Sequence, residues 1–186
     1  MELMQAIRER RAVREYTAES VGTAAINRLI HAAVQAPSAV NLQPWLFTVV
    51  RDSALLDRIS AQSKEHMLAL ADTGAAPSGF REHLSNPDFH IFYHAPALII
   101  ISAATSDTWA KEDAALAAEN LMLVAYAEGL GSCWIGFAQR WLETEPGRRA
   151  VDIPQDFHPV APIIVGHPKN KPAKVPRNGP TTHWIG

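Results

Sequence analysis

The chain has a single cysteine, Cys133, among its 186 residues, and this excludes a disulfide bond within the chain. Charged residues make up only 19%, and the net charge of -2 lacks the basic excess expected of a nucleic-acid-binding domain. The N-terminus has no apolar segment of signal-peptide length, and the apolar run ALIIISAA is too short to span a bilayer. These absences predict a cytoplasmic protein without a nucleic-acid or membrane partner.

Several catalytic and nucleotide-binding motifs are also missing. The chain contains no GxxxxGKS/T loop, no GxSxG elbow and no CxxC pair, and GLGSCW follows a helical pattern, not a strand. His90 and His94 have the spacing of two metal ligands on a helix, but no third ligand lies near them in the sequence, so no metal site is predicted. What remains is arginines near both ends, an amide-rich loop and a strand bordered by glycines, a combination that suits a phosphorylated cofactor.

The most apolar stretch predicts a helix over Lys111–Glu128, ended by Gly129 and followed by a strand over Ser132–Phe137. Between Ala114 and Ala127 the strongly polar residues are only Glu119 and Asn120. A helix that is apolar on most faces is buried all round. In so short a chain this requires a large core or a second subunit, which favours a dimer.

The N-terminus predicts a helix over Leu3–Arg11, close to which three arginines gather: Arg10, Arg11 and Arg14. Two interpretations are open. In the first, the three arginines form a solvated basic turn at a helix C-terminus, where cations are favoured. Alternatively they bind an anion, since guanidinium groups match phosphate oxygens in a bidentate manner.

A second helix, predicted within Glu19–Ala36, leads into the loop APSAVNLQPW and a strand over Trp45–Arg51. The loop carries the short polar side chains of Ser38, Asn41 and Gln43. These groups either satisfy the loop's own backbone or bind a planar heterocycle that carries donors and acceptors.

The remaining pattern predicts one domain over residues 1–166 and an arm over residues 167–186. The arm has four prolines and cannot form a core, yet it ends in Trp184 and Ile185, so it is either a disordered basic end or an arm that covers a neighbouring subunit. The other predicted elements are helices over Asp52–Ala71 and Arg140–Ala150, a long loop over Asp72–Pro87, a central buried strand over Ala97–Ala104 and a strand over Pro159–Gly166.

Taken together, four of these motifs resemble the nitroreductase family of flavin mononucleotide (FMN) enzymes, in order and over nearly the whole chain. RRAVREY resembles the family's RRSVRxF phosphate motif, and APSAVNLQPW resembles its APSxxNxQPW loop. AENLMLVAYAEGLGSCWIGF resembles the central helix and flavin-side strand, and PIIVGHPKNKPAKVPR the closing strand with a following arginine. The resemblance implies an α+β fold with a central, mainly antiparallel sheet flanked by helices, in a homodimer with exchanged C-terminal arms.

The resemblance also assigns cofactor-binding roles. Arg10, Arg14 and Arg177 are expected at the FMN phosphate, with Arg11 and Ala12 nearby; Ala12 replaces the family's usual serine, which removes one hydroxyl contact. The partner subunit is expected to contribute Pro37, Ser38 and Asn41. The isoalloxazine is expected to lie along Trp134, Ile135 and Gly136, with a backbone N–H near flavin N5. Gln43 and Lys174 are weaker candidates.

The implied reaction is ping-pong: NADH or NADPH gives a hydride to flavin N5, and a nitroaromatic, quinone or similar electron-poor acceptor then takes its place. No catalytic side chain and no metal are implied. Two alternatives stay open, namely a flavin-binding regulator or carrier with little turnover, and a dehalogenase-like relative of the same fold. Arg81 and Glu82, in the Asp72–Pro87 stretch, are the only residues that favour the dehalogenase.

Overall fold

The structure is a computed structural model, and it describes residues 2–74 and 78–186. The helices, in chain order, are α1 (Leu3–Glu9), α2 (Thr23–Ala33), α3 (Ser53–Asp72), α4 (Arg81–Ser85), α5 (Ala110–Ala127), α6 (Gly136–Leu142) and α7 (Glu145–Ala150). The strands are β1 (Trp45–Val50), β2 (Ala97–Ala104), β3 (Gly131–Trp134) and β4 (Phe157–Gly166).

The four strands form one antiparallel sheet in the order β1-β2-β4-β3. β2 lies between two neighbours and is buried along almost its whole length, which confirms the prediction of a central strand. Residues on alternate faces of β2 enter two separate cores. Ile99 and Ile101 pack with α2 and α5, whereas Leu98 and Ile100 pack with α3 and α6. The fold is therefore α+β, with helices on both faces of an antiparallel sheet.

α5 confirms the predicted central helix to within one residue at each end. Gly129, at φ 78°, takes the left-handed conformation that ends it, and the N–H of Leu130 donates to the carbonyl of Ala125 at 2.8 Å. The helix is not buried on every side of a single chain, however. Leu121 is 0% exposed against the sheet, whereas Leu116 on the outer face is 47% exposed.

The strand predicted over Ser132–Phe137 is shorter than expected. The last residue of β3 to pair is Trp134, opposite Ile163. The next position along β4 is Pro162, whose carbonyl accepts from the N–H of Ile135 at 2.8 Å. Proline has no N–H, so Pro162 cannot donate the reciprocal hydrogen bond to Ile135. The ladder therefore stops, and Gly136 begins α6 instead of continuing the strand.

Two further predictions are corrected. The single helix expected over Arg140–Ala150 is interrupted before Thr144, whose hydroxyl accepts from the N–H of Gly147 and so begins α7. The stretch expected to be a loop, Asp72–Pro87, contains the helix α4, which buries Leu84 in the core beside α3. Residues 75–77 of that stretch lie outside the described residues.

Asp52 caps α3, since its carboxylate accepts from the N–H of Leu55 at 2.6 Å. The residues after β4 form neither helix nor strand, apart from a bridge between Pro168 and Tyr16. Trp184 and Ile185 at the end of this arm are 89% and 95% exposed. The division into a domain and an arm remains a prediction.

Candidate functional site

The arginine-rich segment after α1 runs beside β3. The N–H of Val13 donates to the carbonyl of Ser132 at 3.0 Å, and Ala12 forms a parallel bridge with Ser132. A Cβ on Gly131 would lie 2.7–2.8 Å from the Val13 side chain, so only glycine allows this approach. This close packing places the arginines against the strand that precedes α6.

Arg10 and Arg11 present buried hydrogen-bond donors without partners. The Arg10 guanidinium lies 3.3 Å from the Glu119 carboxylate, and Arg11 donates to the carbonyls of Arg8 and Arg10 at 2.8 and 2.7 Å. The Nε atoms of both arginines are nevertheless buried and have no hydrogen-bond partner within residues 2–74 and 78–186. Buried unsatisfied donors are costly, so they mark a place for an anion.

A cavity of about 330 Å³ lies against these two arginines. Its opposite wall is the beginning of the C-terminal arm, Pro168–Pro172, with Lys169 and Lys171. Lys171 lies 3.6 Å from Glu9, which accepts from the hydroxyl of Tyr126 at 2.8 Å. The two lysines were not among the predicted site residues, although the basic composition of the arm was a signal for them.

A neighbouring cavity, also about 330 Å³, brings Arg14 together with all three residues predicted to line a flavin ring: Trp134, Ile135 and Gly136. The rest of its wall is mostly apolar or aromatic: Met67, Phe80, Ile91, Tyr93, Cys133 and Phe137. A Cβ on Gly136 would meet no protein atom within 4 Å. The protein's own packing therefore does not require glycine there, and the exposed backbone of Gly136 is open to the cavity.

Arg14 connects the two ends of the site. It lines the cavity beside Trp134 and a further one bounded by Asn170–Ala173 of the arm. Its guanidinium carbon lies 6.0 Å from the centre of the Tyr93 ring, which is within range of a cation–π contact. A single arginine thus lines both a cavity that contains Lys171 and the mostly apolar cavity beside Trp134.

The titratable groups at the ring side stay protonated near neutral pH. Burial raises the pKa of Tyr93, and burial likewise raises the pKa of Tyr16, whose hydroxyl donates to the carbonyl of Val13 at 2.8 Å. Burial also raises the pKa of the Cys133 thiol, while Arg14 and Arg10 offset only part of this effect. With their protons retained, these three groups are not poised as bases or nucleophiles.

The amide-rich loop lies elsewhere in the chain, against the first turn of α5. The N–H of Ala39 donates to both oxygens of the Asp113 carboxylate, at 3.3 and 3.1 Å. Asp113 is only 4% exposed, and this contact explains how a carboxylate is tolerated at that depth. Sequence reasoning missed Asp113, because nothing local connects it with a loop 74 residues earlier.

The loop itself is strained. Val40, Asn41 and Gln43 all have left-handed backbones, at φ 43°, 58° and 51°. For a β-branched residue such as Val40 this conformation is rare and persists only where the surroundings impose it. The Ser38 hydroxyl accepts from the N–H of Gln43 at 3.0 Å, and the Gln43 side chain donates to that of Asn41 at 3.2 Å. Gln43 therefore braces the loop, as one interpretation of the sequence predicted.

Within one chain the predicted site residues form two separate groups. The arginines and Trp134–Gly136 lie together, whereas the loop bearing Pro37, Ser38 and Asn41 lines none of their cavities. Arg177 and Lys174 lie in the exposed part of the arm and line none of these cavities either.

Most of the large apolar side chains that are exposed lie on four parts of the chain. They come from α1, the loop, the outer face of α5 and the end of the arm: Leu3, Met4, Ile7, Val40, Leu42, Trp109, Leu116, Trp184 and Ile185. Large exposed apolar areas mark surfaces that bind other protein chains.

His90 and His94 have no third potential ligand near them in the sequence, but the fold brings one from a distant segment. Asp57, which α3 supplies from 33 residues earlier, lies 3.1 Å from the Nε2 atom of His90. No helix of the described chain has the length and apolar character needed to cross a bilayer.

This fold has clear counterparts among known proteins. The profile of the Nitroreductase family matches residues 7–167, and the chain belongs to this family. Its structure is similar to that of a nitroreductase with bound FMN from Bacteroides fragilis, with a TM-score of 0.82, 25% identity and coverage of 100% of this chain and 98% of that one.

Two other relatives show the breadth of the fold. An FMN reductase that uses NAD(P)H, from Bacillus subtilis, is 25% identical over 95% of this chain and 70% of its own length. An iodotyrosine deiodinase bound to FMN and 3-iodo-L-tyrosine has the same fold, with a TM-score of 0.79, 24% identity and coverage of 100% of both chains.

Proposed function

We propose that the chain is an FMN-dependent oxidoreductase that takes electrons from NADH or NADPH and passes them to an electron-poor acceptor such as a nitroaromatic or a quinone. The observation that carries the proposal is the pair of buried Nε–H donors of Arg10 and Arg11, which have no partner among the described residues, together with a mostly apolar cavity that Arg14 and Trp134 line. When bound, FMN supplies the two-electron chemistry through N5 of its isoalloxazine, which receives a hydride and then gives it up.

Arg10 and Arg11 hold the phosphate, and Ala12 offers only backbone there, because it has no hydroxyl. Arg14 lines both the cavity beside Trp134 and the one bounded by Asn170–Ala173, so we assign it to the phosphate end and the edge of the ring. Trp134, Ile135 and Gly136 provide the surface for the ring. The N–H of Ile135 is already used by Pro162, so the first turn of α6, beginning at Gly136, supplies the backbone N–H aimed at the ring.

The protein's part in the reaction is to bind, orient and exclude water. The aromatic wall of Phe80, Tyr93 and Phe137 keeps the acceptor side of the ring apolar, which favours flat, weakly hydrated acceptors. The raised pKa of Tyr93 keeps its phenol protonated across the neutral range, so it donates hydrogen bonds without serving as a base.

We propose that the functional unit is a homodimer. The exposed apolar residues on α1, α5 and the loop then face the partner, and Pro37, Ser38 and Asn41 reach the partner's flavin. The arm crosses to the neighbouring subunit, which buries Trp184 and Ile185 and brings Arg177 to a phosphate. Lys174 is an additional candidate on the same arm. A cytoplasmic location remains a prediction from the sequence.

The test is reconstitution of the purified protein with FMN. We expect a yellow protein with flavin absorbance bands, and oxidation of NADH or NADPH that depends on an added nitroarene or quinone. Bound flavin with turnover too slow to follow would instead favour a carrier or regulator. Protein that stays colourless after added FMN and oxidises neither nicotinamide would refute the proposal.

The dehalogenase alternative gains no specific support from the site. The guanidinium of Arg81, one of the two residues that favour a dehalogenase in the sequence, forms an ion pair with Asp72. The structural likeness to a deiodinase concerns the fold.

A further inference from the structure

A second group of chemically active side chains lies outside the proposed flavin site. Asp57 of α3 and His90 and His94 of the turn before β2 each offer one ligand atom, and these atoms all lie within 4.8 Å of one another. They border a cavity of about 710 Å³ whose wall also includes Ser20, Arg51, Asp52 and Ser53.

We propose that Asp57, His90 and His94 bind a divalent transition-metal ion, of which Zn²⁺ is the representative. Imidazole nitrogens and a carboxylate oxygen form a ligand set typical of zinc and its neighbours in the first transition row. Three protein ligands leave at least one coordination position open to the adjacent cavity, where water or a small anion completes the shell.

The distances are close to those that an ion needs. Two ligands about 2.1 Å from a tetrahedral ion lie about 3.4 Å from each other. Asp57 Oδ1 and His90 Nε2 are 3.1 Å apart, so they need to separate only slightly. The His94 ligand atom, at most 4.8 Å from the others, must approach by about 1.4 Å at most. Because His94 is exposed, a change of rotamer is enough.

The backbone supports this arrangement. Tyr93 and His94 both have left-handed conformations, at φ 51° and 53°, which are uncommon for residues other than glycine. This turn stacks the ring of His94 against that of His90, with 4.4 Å between centroids and a tilt of 32°. Strain of this kind persists where the surroundings impose it, and it often accompanies ligand sites.

Ion binding must also displace an existing proton. The N–H of Phe92 donates to Nδ1 of His90 at 3.2 Å, so Nε2 carries the proton and donates it to Asp57. An ion on Nε2 takes the place of this proton, and Nδ1, now protonated, no longer accepts from Phe92. The contact between His90 and Phe92 must then open.

The charged side chains near the proposed metal site include both carboxylates and cations. Asp57 and Asp52 attract a cation, whereas Lys64 and Arg51 repel one. Lys64 is fixed by bonds to the carbonyls of Asn86 and Phe89, so it does not move away. The lost Phe92 contact and these cations lead us to expect a micromolar dissociation constant, weaker than that of a closed structural zinc site.

The experiment uses the full chain, freed of any affinity tag and of metal by chelation, and titrated with Zn²⁺ by calorimetry. We expect one ion per chain and, at 100 times the dissociation constant, a rise in melting temperature of about 5–10 °C. Asp57→Asn and His94→Ala should each weaken binding at least tenfold. The matched controls Asp156→Asn and His31→Ala, at exposed positions that do not line this cavity, should leave it unchanged.

A second readout follows the His90 turn. The amide resonance of Phe92 should shift on addition of Zn²⁺ in the wild type and stay in place in Asp57→Asn. Absence of binding below 100 µM Zn²⁺ on the titration, or equal losses in the control variants, would overturn the proposal. The site uses none of the residues proposed to bind flavin, so such a result leaves the oxidoreductase proposal intact.

Discussion

The contact between Asp113 and the backbone of Ala39 gives the sharpest test of how the amide-rich loop is held. In Asp113→Ala the N–H of Ala39 loses a charged acceptor that it now reaches at 3.1 Å. A hydrogen bond to a charged group contributes about 1.5–3 kcal/mol. The left-handed residues Val40, Asn41 and Gln43 each cost about 1–3 kcal/mol, which this contact helps to offset.

The loop should therefore relax in Asp113→Ala. If it contributes Ser38 and Asn41 to the partner's flavin, FMN affinity should fall about 10- to 100-fold, since 1.4 kcal/mol corresponds to tenfold. Asp113→Asn keeps one carbonyl oxygen for Ala39 and should lose less than Asp113→Ala. FMN titration by quenching of flavin fluorescence measures both, and light scattering reports the oligomeric state.

The matched control is Glu112→Ala. Glu112 lies in the same first turn of α5 but is exposed, so the control removes the same charge from the helix N-terminus without touching the loop. We expect wild-type FMN affinity in this variant. If Asp113→Ala also binds FMN as the wild type does while remaining dimeric, the loop is not held in the way described, or it does not meet the flavin.

Three other predictions follow from packing and burial. Leu116→Glu should give a folded monomer by light scattering, because Leu116 lies on the exposed face of α5, whereas Leu121→Glu should fail to fold, because it places a charge in the core. Gly131→Ala should lower stability by about 1–3 kcal/mol, seen as a drop in melting temperature, because its methyl group overlaps Val13. The Cys133 thiol should react with a thiol reagent at pH 8 only after unfolding, because burial raises its pKa in the folded state. The same shift means that its contribution to stability is complete below the unfolded pKa and is lost as pH rises through the folded one, so alkaline pH should destabilise the protein. A native thiol that reacts at the unfolded rate, a stable Gly131→Ala or a dimeric Leu116→Glu would each contradict its argument.

Local patterns were enough for most of the fold. Helical periodicity and the Gly129 stop located α5, and a continuous apolar run located β2 at the centre of the sheet. The sequence pattern could not predict where an element ends when a strand distant in the sequence determines that end. β3 ends at Trp134 because Pro162 on β4 has no N–H, and nothing within Ser132–Phe137 carries that information.

The same limit applies to the site. Motifs identified the arginines and the Trp134–Gly136 segment, which the structure brings to adjoining cavities. Asp113 and Asp57 are single carboxylates, each far in sequence from its partner, so their roles become visible only in three dimensions. The candidate site was predicted from groups of residues that lie close together in the sequence. Single residues far from their partners could not be recognised in this way.

The opposing faces of α5 show why one chain presents only part of the proposed flavin site. Apolarity all round indicated burial on every side, but Leu121 faces the sheet and Leu116 faces outward. The outward face adjoins the loop that Asp113 holds, and that loop lines none of the cavities beside the arginines of its own chain. If the loop completes the partner's site, FMN binding and dimerisation are linked equilibria. FMN binding must then strengthen dimerisation by the same free energy by which dimerisation strengthens FMN binding. Dilution that separates the subunits must therefore also lower the affinity for FMN.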